Sequence, residues 1–176
     1  PDIGVKMAEL PIKTTARNEA QEIAEFYVRM HSLASHPKKF ISLKENIFWM
    51  AKESRKYLND NDYPAKMFDF TEKLYNTGIK WEKARDSIYQ RYQVDQKDGY
   101  NITSKNLYCN GCFAAGINFA SSLVSLFYGE GEIKETIKIG TLSGWDSDNP
   151  TSTWGGLIGF LLGKEMIEKE FDRKFS

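Results

Sequence analysis

Gly144-Trp145-Asp146-Ser147-Asp148-Asn149-Pro150-Thr151 is the segment whose residue types and spacing best suit chemistry. Two carboxylates two residues apart repel each other unless a cation or a set of donors holds them. A hard divalent cation such as Mg²⁺ or Ca²⁺ takes oxygen ligands, and a loop can turn both carboxylates onto one ion. The same residues suit an ordinary helix start, with Asn149 as N-cap and Pro150 in the first helical position. The two readings are compatible. An EF-hand is excluded: counted from Asp146, the glycine position holds Thr151 and the bidentate glutamate position holds Leu157.

Cys109-Asn110-Gly111-Cys112 is a single CxxC. Zinc would need two further ligands, and the only histidines, His31 and His36, lie far away in sequence. A thioredoxin-type redox site would need a βαβ context that a helical pattern does not offer. The expectation is two ordinary cysteines ahead of a helix, with both histidines structural.

These residues must be positioned by helices. Ile23, Phe26, Tyr27, Met30 and Leu33 recur at spacings of three and four, predicting a helix over Asn18 to Ala34. Ser42-Leu43-Lys44-Glu45 reads as a capping box opening a helix to about Leu58. The turn-forming run Asn59 to Pro64 ends it, and helices are expected over Lys66 to Leu74 and Trp81 to Tyr92. Asp98 to Ser104 reads as a loop. Further helices are expected over Cys112 to Tyr128, over Ile133 to Ile139, and from Pro150 or Thr151 past Gly163 into the charged tail. No segment alternates apolar and polar residues between hairpin turns, so the fold class is all-α.

Two of these helices are unusual in composition. Gly155, Gly159 and Gly163 recur every four residues, a face that would permit close approach of a neighbouring backbone. Asn118, Ser121, Ser122 and Ser125 form an uncharged polar stripe on an otherwise apolar helix. That stripe either faces a small-residue helix or lines a site, with Asn118 the member best placed to do so.

Composition narrows the function classes. Lys plus Arg number 24 and Asp plus Glu number 24, and no basic cluster occurs, which argues against a nucleic-acid binder working by phosphate neutralisation. Residues 106 to 129 carry no charge, but Asn106, Asn110, Asn118, Ser121, Ser122 and Ser125 fit a buried central helix better than a membrane span. Two cysteines are too few for a disulfide framework, so the composition is that of an intracellular protein or a sparsely cross-linked one, and the expected compartment is the cytoplasm.

The run from Gly116 to Gly163, including GINFASSLVSLFYGEG and IGTLSGWDSDNPTSTWGGLIGFLLG, resembles the C-terminal part of the ADP-ribosylglycohydrolase family. It is closest to the longer members, which carry Gly-Trp-Asp-Ser-Asp-Asn-Pro-Thr. MAELPIKTTARNEAQEIAEFYVRMHSLA is similar to helices in the middle of such proteins. The resemblance implies an orthogonal helical bundle, here incomplete, residues 1–176 being a single domain or the C-terminal part of one. It implies a site with two Mg²⁺ ions that hydrolyses the bond from ADP-ribose to an acceptor. The ions would hold the ribose hydroxyls and a water and stabilise an oxocarbenium-like sugar. Asp146 and Asp148 would be the catalytic and metal-binding carboxylates, and Asn149 a further metal ligand with Thr151 its alternative. Asn118 and Trp145 are the candidate substrate-binding residues.

The family's other metal motif, a Thr-Asp-Asp triad near the N-terminus, has no counterpart here. Asp60-Asn61-Asp62 lies in a turn, and the start at Pro1 without Met fits a chain that is the second half of a domain. The expected substrate is an ADP-ribosylated protein or a small ADP-ribose conjugate. An N-terminal partner segment or self-association would cover the apolar face left by the missing half. The alternative is a non-catalytic truncated homologue serving as a structural or interaction module, as related lens crystallins keep the fold without enzyme function.

Overall fold

Helix formation follows apolar spacing wherever the deciding contacts are local. In the computed structural model, which describes residues 1–175, the first helix α1 spans Asp2–Thr15 and α2 spans Glu19–Ala34. The predicted face of α2 is the buried one, with Ile23, Phe26 and Met30 in the core and Tyr27 and Leu33 packed against it. Helix α3, Leu43–Arg55, opens on the expected capping box: the Ser42 hydroxyl accepts from the Glu45 amide, and Glu45 accepts from the Ser42 amide.

Helix α4 spans Tyr63–Asn76, starting three residues before the predicted Lys66. Pro64 lies in its first turn, where the missing N–H has no intrahelical acceptor to lose. Helix α5, Trp81–Ile88, continues into a six-residue π-helical segment, Tyr89–Val94, instead of running as one α-helix to Tyr92. The wider turn is closed by the Asp95 amide donating to the Gln90 carbonyl at 2.8 Å. It buries Tyr92 and places Gln93 in hydrogen-bonding contact with Trp145. Three short 3₁₀ turns then cross the segment expected to be a loop and lead through the CxxC.

The uncharged stretch supplies the central helix α6, Ala115–Gly129. Every residue from Gly116 to Phe127 is buried, so no position faces water and none can hold an unpaired charge cheaply. Its aromatics lock neighbouring helices edge-on: Phe119 meets Phe26 at 5.1 Å between ring centroids, and Phe127 meets Phe68 at 5.5 Å. Among the described residues no helix is long and apolar enough to cross a membrane.

Helix α7 spans Ile133–Ser143, α8 spans Asp148–Leu162 and α9 spans Lys164–Glu170. Nine α-helices and no strand make an all-α bundle of the described residues. Helix α7 outlasts its predicted end at Ile139, so the loop before α8 is shorter than expected. Gly140 permits this, because its missing Cβ would lie 3.1 Å from Thr151 and 3.5 Å from Pro150 of α8.

The glycine face of α8 does not do what its spacing suggested. A Cβ at Gly155 or Gly159 would meet only Ile137 at 3.7 Å or Ile167 at 3.9 Å, ordinary contact distances. Gly163 is not helical at all; at φ +76° it ends α8 and starts α9. The closest backbone approach lies instead between Gly129 of α6 and Thr136 of α7. At the edge of the bundle, Ile3, Met7 and Leu10 of α1 share one face and are 77%, 78% and 75% exposed.

Candidate functional site

The turn between α7 and α8 reverses the chain through two left-handed residues. Gly144 has φ +93° and ψ −161°, a region open essentially to glycine, and Trp145 follows at φ +56°. For a bulky residue that conformation is strained, and tertiary contacts must hold it. The Trp145 ring packs against the core, and its indole Nε1 donates to Gln93 Oε1 at 2.6 Å.

Asp146 is fixed through its backbone. Its amide donates to Asn118 Oδ1 at 3.0 Å, while Asn118 Nδ2 donates to the carbonyls of Cys112 at 2.8 Å and Ala114 at 3.0 Å. Asn118 is 7% exposed, and both ends of its amide are occupied by this chain. It holds the acidic turn in place and, as the structure stands, has no free donor to offer a substrate.

Helix α8 starts at Asp148 with Ser147, not Asn149, as N-cap, two or three residues ahead of the predicted start at Pro150 or Thr151, so Asn149 and Pro150 lie inside the first turn. A carboxylate at the first helical position sits favourably against the positive end of the helix. The Asn149 side-chain amide donates to Asp146 Oδ2 at 2.6 Å, and the Thr151 hydroxyl donates to the carbonyls of Ser147 and Asp148. The Asp148 carboxyl follows Asp146 two residues later in the same turn. It pushes the Asp146 carboxyl above its ordinary range, against a lowering influence from Asn149. Asp146, Asp148 and Asn149 are thus brought together, with Asp148 and Asn149 open to solvent.

This crowding has a sign. Folded Asp146 holds its proton more tightly than the unfolded chain does, so the repulsion is absent at low pH and appears as pH rises through the carboxylate range. Asp146→Asn, which keeps an acceptor for Asn149, is expected to raise the thermal midpoint at pH 7 in chelator. The gain should vanish at pH 3, and a gain equal at both values would contradict this origin.

Beside the turn lies a cavity of about 250 Å³, lined by Ile23 and Tyr27 of α2, Ala115 and Asn118 of α6, Asn149 and Thr153 of α8, and Phe113. It is smaller than a typical drug-sized ligand site of roughly 300–1,000 Å³ and suits a single sugar ring. Desolvation raises the Tyr27 phenol to about 12, so it stays protonated, and its oxygen lies 3.0 Å from Ser122 Oγ. A more open depression of about 390 Å³ lies over α5 and the π-helical segment, beside Lys83, Asp86, Arg91 and Asp95. Asp86 is paired with Arg85 and Arg91 with Asp98, so no matched pair of free acids stands there.

The polar stripe of α6 is mostly turned back on its own helix. Ser122 Oγ donates to Phe119 O and Ser125 Oγ to Ser122 O, while the Trp154 indole of α8, not a glycine, meets the stripe through Ser122 O at 2.7 Å.

The CxxC departs from the expectation of two ordinary cysteines ahead of a helix, because Cys109 and Cys112 form a disulfide. Gln93 was not anticipated either. Its only sequence signal was its place near the end of a predicted helix; the π-helical turn is what carries it to Trp145. Among the described residues, no group of three or more His, Cys, Asp or Glu side chains is placed to hold a metal ion. In comparisons with known proteins, no family model, no curated protein and no solved structure matches the chain.

Proposed function

We propose that this chain supplies the Asp-x-Asp half of a Mg²⁺-dependent site that hydrolyses the bond between ADP-ribose and an acceptor. The observation that carries the reading is the Asp146–Asp148 pair, two crowded carboxylates on a strained turn whose neighbour Asn149 lines a sugar-sized cavity. The donor set is all oxygen, as Mg²⁺ prefers: two carboxylates, the Asn149 amide oxygen and the Thr151 hydroxyl. Four such donors fit part of one octahedral shell and not two shells, so the remaining ligands come from another segment. When bound, the ion supplies charge neutralisation at the reacting sugar. The chain's own part is to fix the two carboxylates through Asn118 and the α8 N-terminus, and to offer the apolar wall of Ile23, Tyr27 and Phe113 to the substrate.

The reading includes an orthogonal, incomplete bundle of the ADP-ribosylglycohydrolase type and a cytoplasmic location. Its substrate is an ADP-ribosylated protein or small conjugate, and the exposed Ile3, Met7 and Leu10 face of α1 lies against the companion segment. The second reading is a non-catalytic interaction module, which the exposed Ile3, Met7 and Leu10 face of α1 would serve equally well.

Two measurements separate them. Mn²⁺ added as a paramagnetic stand-in is expected to broaden the amide signals of residues 146–149 in the wild-type chain and not in Asp146→Ala or Asp148→Ala. With the companion segment present, each substitution is expected to lower Mg²⁺-dependent release of ADP-ribose from modified protein by at least about 100-fold. No selective broadening, or activity that survives both substitutions, removes the metal reading and leaves the module.

A further inference from the structure

Two side-chain amides join the disulfide loop to the acidic turn in the same way. Gln93 Nε2 donates to the Asn110 carbonyl at 3.3 Å, while its Oε1 accepts from the Trp145 indole at 2.6 Å. Asn118 Nδ2 donates to the Cys112 carbonyl at 2.8 Å, while its Oδ1 accepts from the Asp146 amide at 3.0 Å. Each amide therefore links a carbonyl inside or at the end of the Cys109–Cys112 ring to a residue of the turn, Gln93 through that carbonyl alone and Asn118 with the Ala114 carbonyl as a second anchor at 3.0 Å. The ring itself is held in an unusual shape, with Cys109, Asn110 and Gly111 all left-handed at φ +45°, +55° and +74°. Two consecutive non-glycine residues in that region need an outside constraint, and the disulfide supplies one.

We propose that the Cys109–Cys112 loop is a thiol–disulfide switch that sets the order of the Trp145–Asp146 turn, with Gln93 and Asn118 as its positioning residues. A dithiol reductant attacks the exposed Cys109 sulfur, the bond between the two cysteine sulfurs breaks, and Cys112 leaves as a thiolate that takes up a proton. The reductant's second thiol then displaces Cys109. Two electrons and two protons have passed to this chain, and the reductant departs as its own disulfide. The freed loop relaxes from its left-handed conformation and the Asn110 and Cys112 carbonyls move; Gln93 loses its one anchoring carbonyl, and Asn118 loses one of its two, keeping Ala114 O. Trp145, strained at φ +56°, then loses its hydrogen bond to Gln93. That the turn is where a metal sits rests on the functional reading above; the coupling between loop and turn does not.

The test uses the full chain without metal, oxidised or treated with dithiothreitol, and follows hydrogen exchange by NMR. Reduction is expected to speed exchange of the Trp145 indole proton and the Asp146 amide by about tenfold or more. The Trp154 indole, bonded to Ser122 O in the core, should not change. The Cys109→Ser/Cys112→Ser chain should match the reduced protein and ignore dithiothreitol. Gln93→Leu should release the Trp145 proton in the oxidised chain while leaving the disulfide intact. Equal rates in oxidised and reduced protein, or a parallel rise at Trp154, would overturn the switch. Manganese broadening of the oxidised chain separately reports whether the metal reading stands.

Discussion

Trp154→Ala is expected to remove about 4 kcal/mol of folding stability, measured as a shift in the denaturant midpoint at unchanged slope. Trp154 is the largest fully buried side chain, and it anchors α8, the helix whose first turn carries Asp148 and Asn149. Its ring lies 5.4 Å from that of Tyr27 on α2, and its indole donates to Ser122 O on α6 at 2.7 Å, so one side chain ties three helices. Truncation leaves a large cavity and deletes that hydrogen bond. Trp154→Phe should cost less, about 1–2 kcal/mol, because most of the apolar volume remains. Ser122 O also keeps a partner in Ser125 Oγ. A loss below about 1 kcal/mol for the alanine variant would mean that the three helices are held elsewhere.

Gly129→Ala carries the second large effect, with an expected loss of about 2–3 kcal/mol. The added Cβ would lie 2.0 Å from Thr136 Oγ1 and 2.7 Å from the Thr136 Cα. The hydroxyl can rotate away, but the Cα is backbone, so α7 itself must shift. Alanine's better helix propensity returns no more than about 1 kcal/mol, so the clash decides the sign. Because α7 leads directly into Gly144, the displacement should also disturb the acidic turn, visible as changed amide shifts at residues 144–148. Gly156→Ala serves as the control. Nothing lies within 4 Å of its would-be Cβ, and the same exchange there should stabilise by about 0.5–1 kcal/mol.

These opposite signs show why some of the architecture was legible in the sequence and some was not. The apolar face of α2 and the capping box of α3 appeared where spacing placed them, because each is set within a few residues of chain. The absence of charge over residues 106–129 matches the burial of α6 from Gly116 to Phe127, whereas residues 106–110 and Phe113 in the same uncharged stretch are exposed. Glycine spacing in α8 misled, since close approach depends on what a distant helix brings to the spot. Gly155 faces open Ile137 contacts, while Gly129, with no repeat to mark it, sits against a backbone. Pro64 starts a helix instead of only ending one, because the first turn needs no N–H from it, and the π-helical turn after Ile88 shifted a boundary that apolar spacing had placed at Tyr92.

The same division runs through the candidate site. Residue types alone determined an all-α chain with a carboxylate pair at a helix start, since charge repulsion and helix-start preferences act over two or three positions. Tertiary structure alone decided that Asn118, 28 residues from Asp146, is bound to it and satisfied by its own chain. It also decided that Gln93 holds Trp145 from 52 residues away, and that Cys109 and Cys112 are bonded in a loop that both amides grip. Hydrogen bonds across such separations depend on where whole helices pack, and no periodicity in the chain records them.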